Sequence, residues 1–194
     1  MAVELANIYK SFGQQNIFTN FNAKFETGAF TAIMGSSGSG KTTLINLICG
    51  LMTPDYGNIN GIKGHKISAV FQEDRLLEHQ SGLKNIQYVL KKSQLKDCEQ
   101  DIWELLVETE LAEDAHKRAR DYSGGMKRRL ALCRALVIDF DIIILDEPFK
   151  GLDSGLKPKI MALTKARCAE KTVILVTHDV SEAVYFGGDI VNIR

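Results

Sequence analysis

Between the apolar run AFTAIM and a helical stretch lies GSSGSGKT (Gly35–Thr42), and no other segment restricts the fold of this chain so tightly. Glycines at these spacings let successive backbone N–H groups turn inward on one point. That concavity suits phosphate oxygens, and a helix starting there aims its positive end at the same place. The loop works only where a strand delivers the chain and a helix takes it away. Both are legible, as the strand AFTAIM and a helix over Thr42–Leu51 stopped by Gly50 and Pro54. On this reading Gly35, Ser36, Ser37, Gly38, Ser39 and Gly40 wrap the phosphates. Lys41 reaches the β- and γ-phosphates, Thr42 offers its hydroxyl to Mg²⁺, and Thr43 stands beside it at the nucleotide.

A loop of this kind belongs to an α/β sheet, and the rest of the chain supplies one. VELANI and FTNFNAKF read as early strands, and PDYG (Pro54–Gly57) as a turn. KISAVF (Lys66–Phe71), DIIILD (Asp141–Asp146), TVILVTH (Thr172–His178) and DIVNI read as later strands. Unbroken apolar runs such as IIIL and VILV suit a parallel sheet covered on both faces. From about Glu73 to Asp121 the β-branched runs vanish. Helical spacing replaces them, as in Ile102, Leu105 and Leu106, so the block reads as a helical insertion. A helix after Gly125 and another through Lys157–Ala169 complete the pattern.

Lys+Arg and Asp+Glu both number 24, which argues against a generally nucleic-acid-binding or polybasic membrane-surface protein. Cys49, Cys98, Cys133 and Cys168 are widely spaced with no CxxC pair, and read as reduced thiols. The N-terminal MAVELANIYK has no secretory h-region, and no apolar run is long enough for a bilayer. Work at a membrane is therefore expected to go through a partner.

Metal chemistry needs carboxylates, and IIILDEP (Ile142–Pro148) ends an apolar strand in two of them. Asp146 is expected to hold Mg²⁺. Glu147, one residue on, is aimed elsewhere and suits the orientation and deprotonation of an attacking water. Together with the phosphate loop this describes a P-loop NTPase.

Further stretches follow in a particular order: Gln72 after AVF, YSGGM at a helix start, GLD (Gly151–Asp153) just after the carboxylates, and His178 closing ILVTH. With them, essentially the whole chain resembles the ATP-binding-cassette (ABC) ATPases. The resemblance implies an ABC cassette fold with a mainly parallel core sheet, an antiparallel β subdomain and a helical subdomain. It implies one domain over 1–194, with 1–72 and 136–194 as core and about 73–135 as insertion. It places Phe12 at the position that stacks on adenine, with Tyr9 a nearby competitor. Gln72 then senses the γ-phosphate and Mg²⁺, and His178 bonds the γ-phosphate. Ser123, Gly124 and Gly125 face the γ-phosphate bound by a second subunit. The catalytic set so implied is Glu147, His178, Lys41 and Gln72, and the metal set is Thr42, Gln72 and Asp146.

FQEDRLL together with SGGMKRR resembles the importer branch that handles nitrate, sulfonate, taurine and thiamine-precursor-type solutes. This chain has Glu78-His79-Gln80 where members often carry proline and tryptophan, and Met126 where the wider family has glutamine. Lys127, Arg128 and Arg129 read equally as local positive potential or as a solvated helix face. The sequence ends soon after the histidine strand, and no added regulatory domain is expected. The expectation is an ATP- and Mg²⁺-dependent ATPase that works as an ATP-sandwiched pair of cassettes. It would sit on the inner face of the cell membrane through integral permease subunits, with a solute-binding protein in the complex and no nucleic acid. Two alternatives stand beside it. A soluble non-transport ABC ATPase normally needs a long coiled-coil insertion or tandem cassettes, and a P-loop small-molecule kinase leaves YSGGM and VTHD unexplained.

Overall fold

The computed structural model describes residues 2–193; Met1 and Arg194, the ends of the expected domain, lie outside the described residues. The chain forms two compact units. The first takes in the chain up to Ala69, Phe140–Glu147, and the chain from Cys168 onward. The second takes in Val70–Asp139 and Pro148–Arg167, so the segment after Pro148 groups with the helical block.

Two sheets build the first unit. Strands β1 (Val3–Phe12), β2 (Gln15–Phe25) and β4 (Tyr56–Asn60) form an antiparallel sheet in the order β2-β1-β4. The core sheet runs β5 (Ile67–Val70), β6 (Ile142–Asp146), β7 (Thr172–Val176), β3 (Phe30–Gly35), β8 (Asp189–Ile193). The β6–β7, β3–β7 and β3–β8 pairings are parallel. Every residue of β6 and β7 is buried, as their unbroken apolar runs require. Helix α1 (Lys41–Ile48) buries Leu44, Ile45, Leu47 and Ile48. Each contributes roughly 1.5–3 kcal/mol relative to leaving it exposed.

β4 departs from the sequence reading, which makes PDYG a turn. Tyr56 and Gly57 instead open an edge strand, with Tyr9 opposite Tyr56 and Leu5 opposite Ile59. Gly57 sits at φ 98°, and a Cβ there would stand 2.3 Å from the Asn7 carbonyl oxygen, so only glycine lets the two strands approach. β1 is also longer than VELANI. Asn7 at φ 53° takes up a register shift between Leu5 and Ile8, so both remain buried although three positions apart. Helix α6 (Val180–Phe186) is a further element that periodicity did not reveal in so short a segment. Its end signals are present: Asp179 accepts from the Ser181 N–H at 2.8 Å, and Gly187 closes the helix at φ 72°.

The second unit is helical: α2 (Gly82–Gln87), α3 (Glu99–Glu108), α4 (Gly124–Leu136) and α5 (Lys157–Arg167), with a 3₁₀ turn over Ala119–Asp121. Ile102, Leu105 and Leu106 are all buried, as their spacing predicts, with Leu130, Leu132, Phe149 and Ile160. Arg167 ties α5 to α3 through Asp101, Glu104 and Glu108. The Tyr122 hydroxyl donates to the Asp114 carbonyl at 2.7 Å, and burial pushes its pKa up to about 12. None of the four cysteines is in a disulfide, and burial raises Cys133 and Cys168 to about 12, in keeping with inert reduced thiols. Among the described residues no helix is long and apolar enough to cross a membrane.

The tightest backbone approach predicts a test of the core sheet. A Cβ at Gly188 would stand 1.7 Å from the Phe30 carbonyl oxygen, where the chain enters β8 beside β3. Gly188→Ala is expected to cost about 1–3 kcal/mol of stability, read as a lower urea midpoint at unchanged slope.

Candidate active site

Strand register sets the geometry of the first unit's functional edge. Ile33 of β3 stands opposite Val176 of β7, which stands opposite Asp146 of β6. The ladder continues past the strands, for Thr177 N–H donates to the Ile33 carbonyl at 3.2 Å and Glu147 N–H to the Val176 carbonyl at 2.8 Å. Three carboxyl ends therefore finish at one level, where α/β sheets bind ligands. From them depart the phosphate loop, Glu147 and His178.

The loop after β3 has the expected form. Gly38 and Gly40 take φ 82° and 98°, and Gly40 leads into α1. A Cβ at Gly40 would stand 2.7 Å from Ile17 Cγ2 and 3.0 Å from Phe18 Cζ, so β2 lies directly against the loop. A Cβ at Gly35 would stand 2.5 Å from the Ile193 carbonyl oxygen and 2.6 Å from Ser39 Oγ. Lys41 is 9% exposed, and its ammonium donates to the Gly35 carbonyl at 2.9 Å and the Ser36 carbonyl at 2.7 Å. A buried cation met by carbonyl dipoles is set to gain from an incoming anion. Ser39 Oγ is buried with no hydrogen-bond partner among the described residues. Buried hydroxyls seldom go unpaired, so this orphan beside Lys41's loop fits a site that receives phosphate oxygens. Ser36, Ser37 and Gly38 line the exposed rim, and Thr42 and Thr43 occupy the first turn of α1.

The carboxylates part as expected. Asp146 ends β6 at 4% exposure, while Glu147 turns out of the strand at φ 48°, a backbone region glutamate seldom occupies. Its carboxylate is 2.9 Å from His178 Nε2, which joins two of the residues assigned to catalysis. The histidine's neighbours hold the turn: Thr177 Oγ1 donates to Glu182 and accepts from the Asp179 N–H at 3.0 Å. Glu182 is 4% exposed in the first turn of α6, and Thr177 and Glu182 are supporting groups that periodicity gives no means of finding.

Phe12 and Tyr9 separate clearly. Phe12 ends β1 at the hairpin tip, 48% exposed, with Lys10 Nζ 5.6 Å from its ring centroid. Tyr9 is held edge-on by Tyr56, with centroids 6.4 Å apart. Tyr9 is less exposed than Phe12, at 39%. The loop beneath is pinned by Asp55, which accepts from Lys10 Nζ at 2.7 Å and the Ser11 N–H at 2.8 Å. These bonds hold the Asp55 carboxyl below its usual range, the Lys10 bond foremost.

Gln72, Ser123, Gly124 and Gly125 belong to the second unit. Ser123 caps α4, its Oγ accepting from the Met126 N–H at 3.3 Å. A Cβ at Gly124 would meet open space, whereas one at Gly125 would lie 3.2 Å from the Gly151 carbonyl oxygen. The YSGGM helix start is thus an exposed cap packed against the GLD turn. Gln72 presents an exposed side chain. The three following cations do not share a solvated face. Arg128 is 5% exposed and bonded to the Gln72 segment, and Arg129 donates to the Thr109 and Glu110 carbonyls. Only Lys127 pairs at the surface, with Glu78. Runs of basic residues on a helix read as solvated until packing shows otherwise.

Comparison with known proteins bears on this arrangement. The profile of the ABC transporter family matches residues 18–150. An aliphatic sulfonates import ATP-binding protein of Rhodococcus jostii is 36% identical over 186 residues, covering 95% of this chain and 68% of that protein. A sulfate/thiosulfate import ATP-binding protein of Mesostigma viride is 33% identical over 98% of this chain; the chain spans 59% of its length. Among solved structures, the dimeric ATP-binding cassette MJ0796, in a post-hydrolysis state bound to ADP and Pi, superposes with a TM-score of 0.86. It is 30% identical, with 99% of this chain and 94% of that one covered.

The loop geometry predicts a binding outcome. Gly35→Ala pushes Ser39 and the Ile193 carbonyl apart, so MgATP is expected to raise the melting temperature of the native chain but not of the variant. Differential scanning fluorimetry with and without MgATP measures this, because a ligand stabilises only the state that binds it.

Proposed function

Since this chain belongs to the ABC transporter family, we propose that it is the ATP-hydrolysing subunit of an importer. The observation that carries the catalytic part is the buried Glu147 carboxylate beside His178, on the sheet edge from which the Lys41 loop also departs. Gly35–Thr43 bind the ATP phosphates through backbone N–H groups, the Ser39 hydroxyl and the Lys41 ammonium. Phe12 offers a π face to adenine, which suits purines without strong base selectivity.

Thr42 and Asp146 of the first unit offer the hydroxyl and carboxylate oxygens that a hard divalent cation takes, and Gln72 of the second unit carries an amide oxygen of the same hard kind. When bound, Mg²⁺ neutralises charge on the β- and γ-phosphates. Glu147 orients the attacking water and accepts its proton, and His178 fixes the direction of Glu147 Oε1 while standing ready to bond the γ-phosphate.

The second unit supplies the reason for a pair. Ser123, Gly124 and Gly125 form an anion-seeking helix start, and they face the γ-phosphate of ATP held by a second cassette. ATP then acts as an adhesive between subunits, and hydrolysis releases them. The dimeric relative bound to ADP and Pi supports this. The chain works as one cassette of core (1–72 and 136–194) and helical insertion (about 73–135). It is peripheral on the cytoplasmic face of the membrane through permease subunits, with a solute-binding protein on the far side. Import is supported by the sulfonate and sulfate/thiosulfate relatives, and the partners select the solute.

Glu147→Gln tests the reading. The variant is expected to bind ATP with a hydrolysis rate on the order of 100- to 10,000-fold lower, and to become a dimer only when ATP is present. Light scattering after size exclusion measures the mass. An inactive variant that stays monomeric with saturating ATP would overturn the sandwich.

A further inference from the structure

The segment that carries Gln72 is bound to α4 by an unusual density of arginine contacts. Arg128 Nη1 donates to the Phe71 carbonyl at 2.6 Å and the Gln72 carbonyl at 3.4 Å, and pairs with Asp74 Oδ1 at 3.0 Å. Farther along the same helix, Arg134 donates to the Arg75 and Asp74 carbonyls, each at 2.8 Å. The carbonyls of Phe71, Gln72, Asp74 and Arg75 are thus all held from one helix. The segment is also closed on itself. Arg75 takes φ 47°, and its guanidinium lies 4.0 Å from the Phe71 ring centroid. Gln72 keeps its side chain in solvent while its backbone is held.

We propose that Arg128 is a positioning residue for Gln72: with Asp74 it clasps the Gln72 segment to the helix that Ser123 begins. The Gln72 amide and the Ser123 hydroxyl are thereby presented as parts of one body. This rests on the roles given to Gln72 and Ser123 above. All three contacts are made by Nη1, whose direction the planar guanidinium fixes and whose charge survives burial, whereas lysine offers a freely rotating point charge. Because the clasp starts from α4, any displacement of the Ser123 helix start carries Gln72 with it. Hydrolysis then requires both groups in place together, and ATP binding to the loop around Lys41 does not.

The test uses the full chain and compares Arg128→Gln, Arg128→Lys, Asp74→Ala and the Arg128→Gln/Asp74→Ala pair, with Gln72→Ala as reference. Steady-state ATP hydrolysis and amide hydrogen exchange are read on each. Arg128→Gln is expected to lower kcat about tenfold while KM for ATP changes less than about twofold. Amides of residues 71–75 are expected to exchange faster while those of α4 stay protected. Asp74→Ala is expected to move kcat in the same direction, and the pair to be no worse than Arg128→Gln alone, as groups in one clasp are not additive. Arg128→Lys is expected not to restore kcat. Should Arg128→Gln fail to fold, Asp74→Ala and Arg134→Gln, which open the same clasp from other contacts, carry the same kcat and exchange expectations. A folded Arg128→Gln with native kcat, or additive losses in the pair, overturns the clasp. If Gln72→Ala itself hydrolyses ATP at the native rate, the role of Gln72 falls and the clasp with it. If Gln72→Ala is inactive and Arg128→Gln is not, only the clasp falls.

Discussion

The parallel register of β3, β7 and β6 is the constraint on which the catalytic edge depends. Ile33, Val176 and Asp146 lie level, and two backbone bonds extend the ladder through Thr177 and Glu147. A slip of one residue in any strand would turn its side chains to the opposite face. It would also carry the Lys41 loop, Glu147 or His178 out of line. Burial on both faces opposes the slip, since every position of β6 and β7 is buried and all but Asp146 and Thr172 are apolar. The site is held by the core beneath it.

Charges buried at that edge and beside α4 are the costly part of the structure, and each is compensated in a way that suits its role. Lys41 is held by two carbonyl dipoles, a weak partnership that an anion can improve. Glu147 sits at positive φ against a half-exposed histidine, a strained pose of the kind folds keep where chemistry needs it. Arg128, in contrast, is matched to a carboxylate and two carbonyls of one segment, a set suited to holding that segment still. Buried charges therefore read differently by partner: a cation met by carbonyl dipoles suits anion binding, and one met by a carboxylate suits positioning.

Much of this is legible in the sequence. The glycine spacing of Gly35–Thr42, the apolar runs ending at Asp146 and Val176, and the helical spacing of Ile102, Leu105 and Leu106 all appear where physical periodicity put them. β4 did not, because Tyr56–Asn60 is polar and becomes a strand only by pairing with β1 across a glycine. α6 did not, because seven residues are too few for a periodic signal, although Asp179 and Gly187 mark its ends. Lys127-Arg128-Arg129 misled for a different reason: a run of cations carries no information about which acceptors will meet it.

The sequence by itself determined the phosphate loop, the paired carboxylates, the anion-seeking helix start at Ser123, and the alternation of strands and helices that accommodates them. These are local properties, set by backbone freedom, side-chain chemistry and spacing along one chain. Only packing makes Phe12 more exposed than Tyr9, sets Glu147 against His178, leaves Ser39 Oγ without a hydrogen-bond partner among the described residues, and turns Arg128 inward onto the Gln72 segment. Each of those depends on residues far apart in sequence, brought together by parallel pairing and helix packing, and no short-range pattern encodes that meeting.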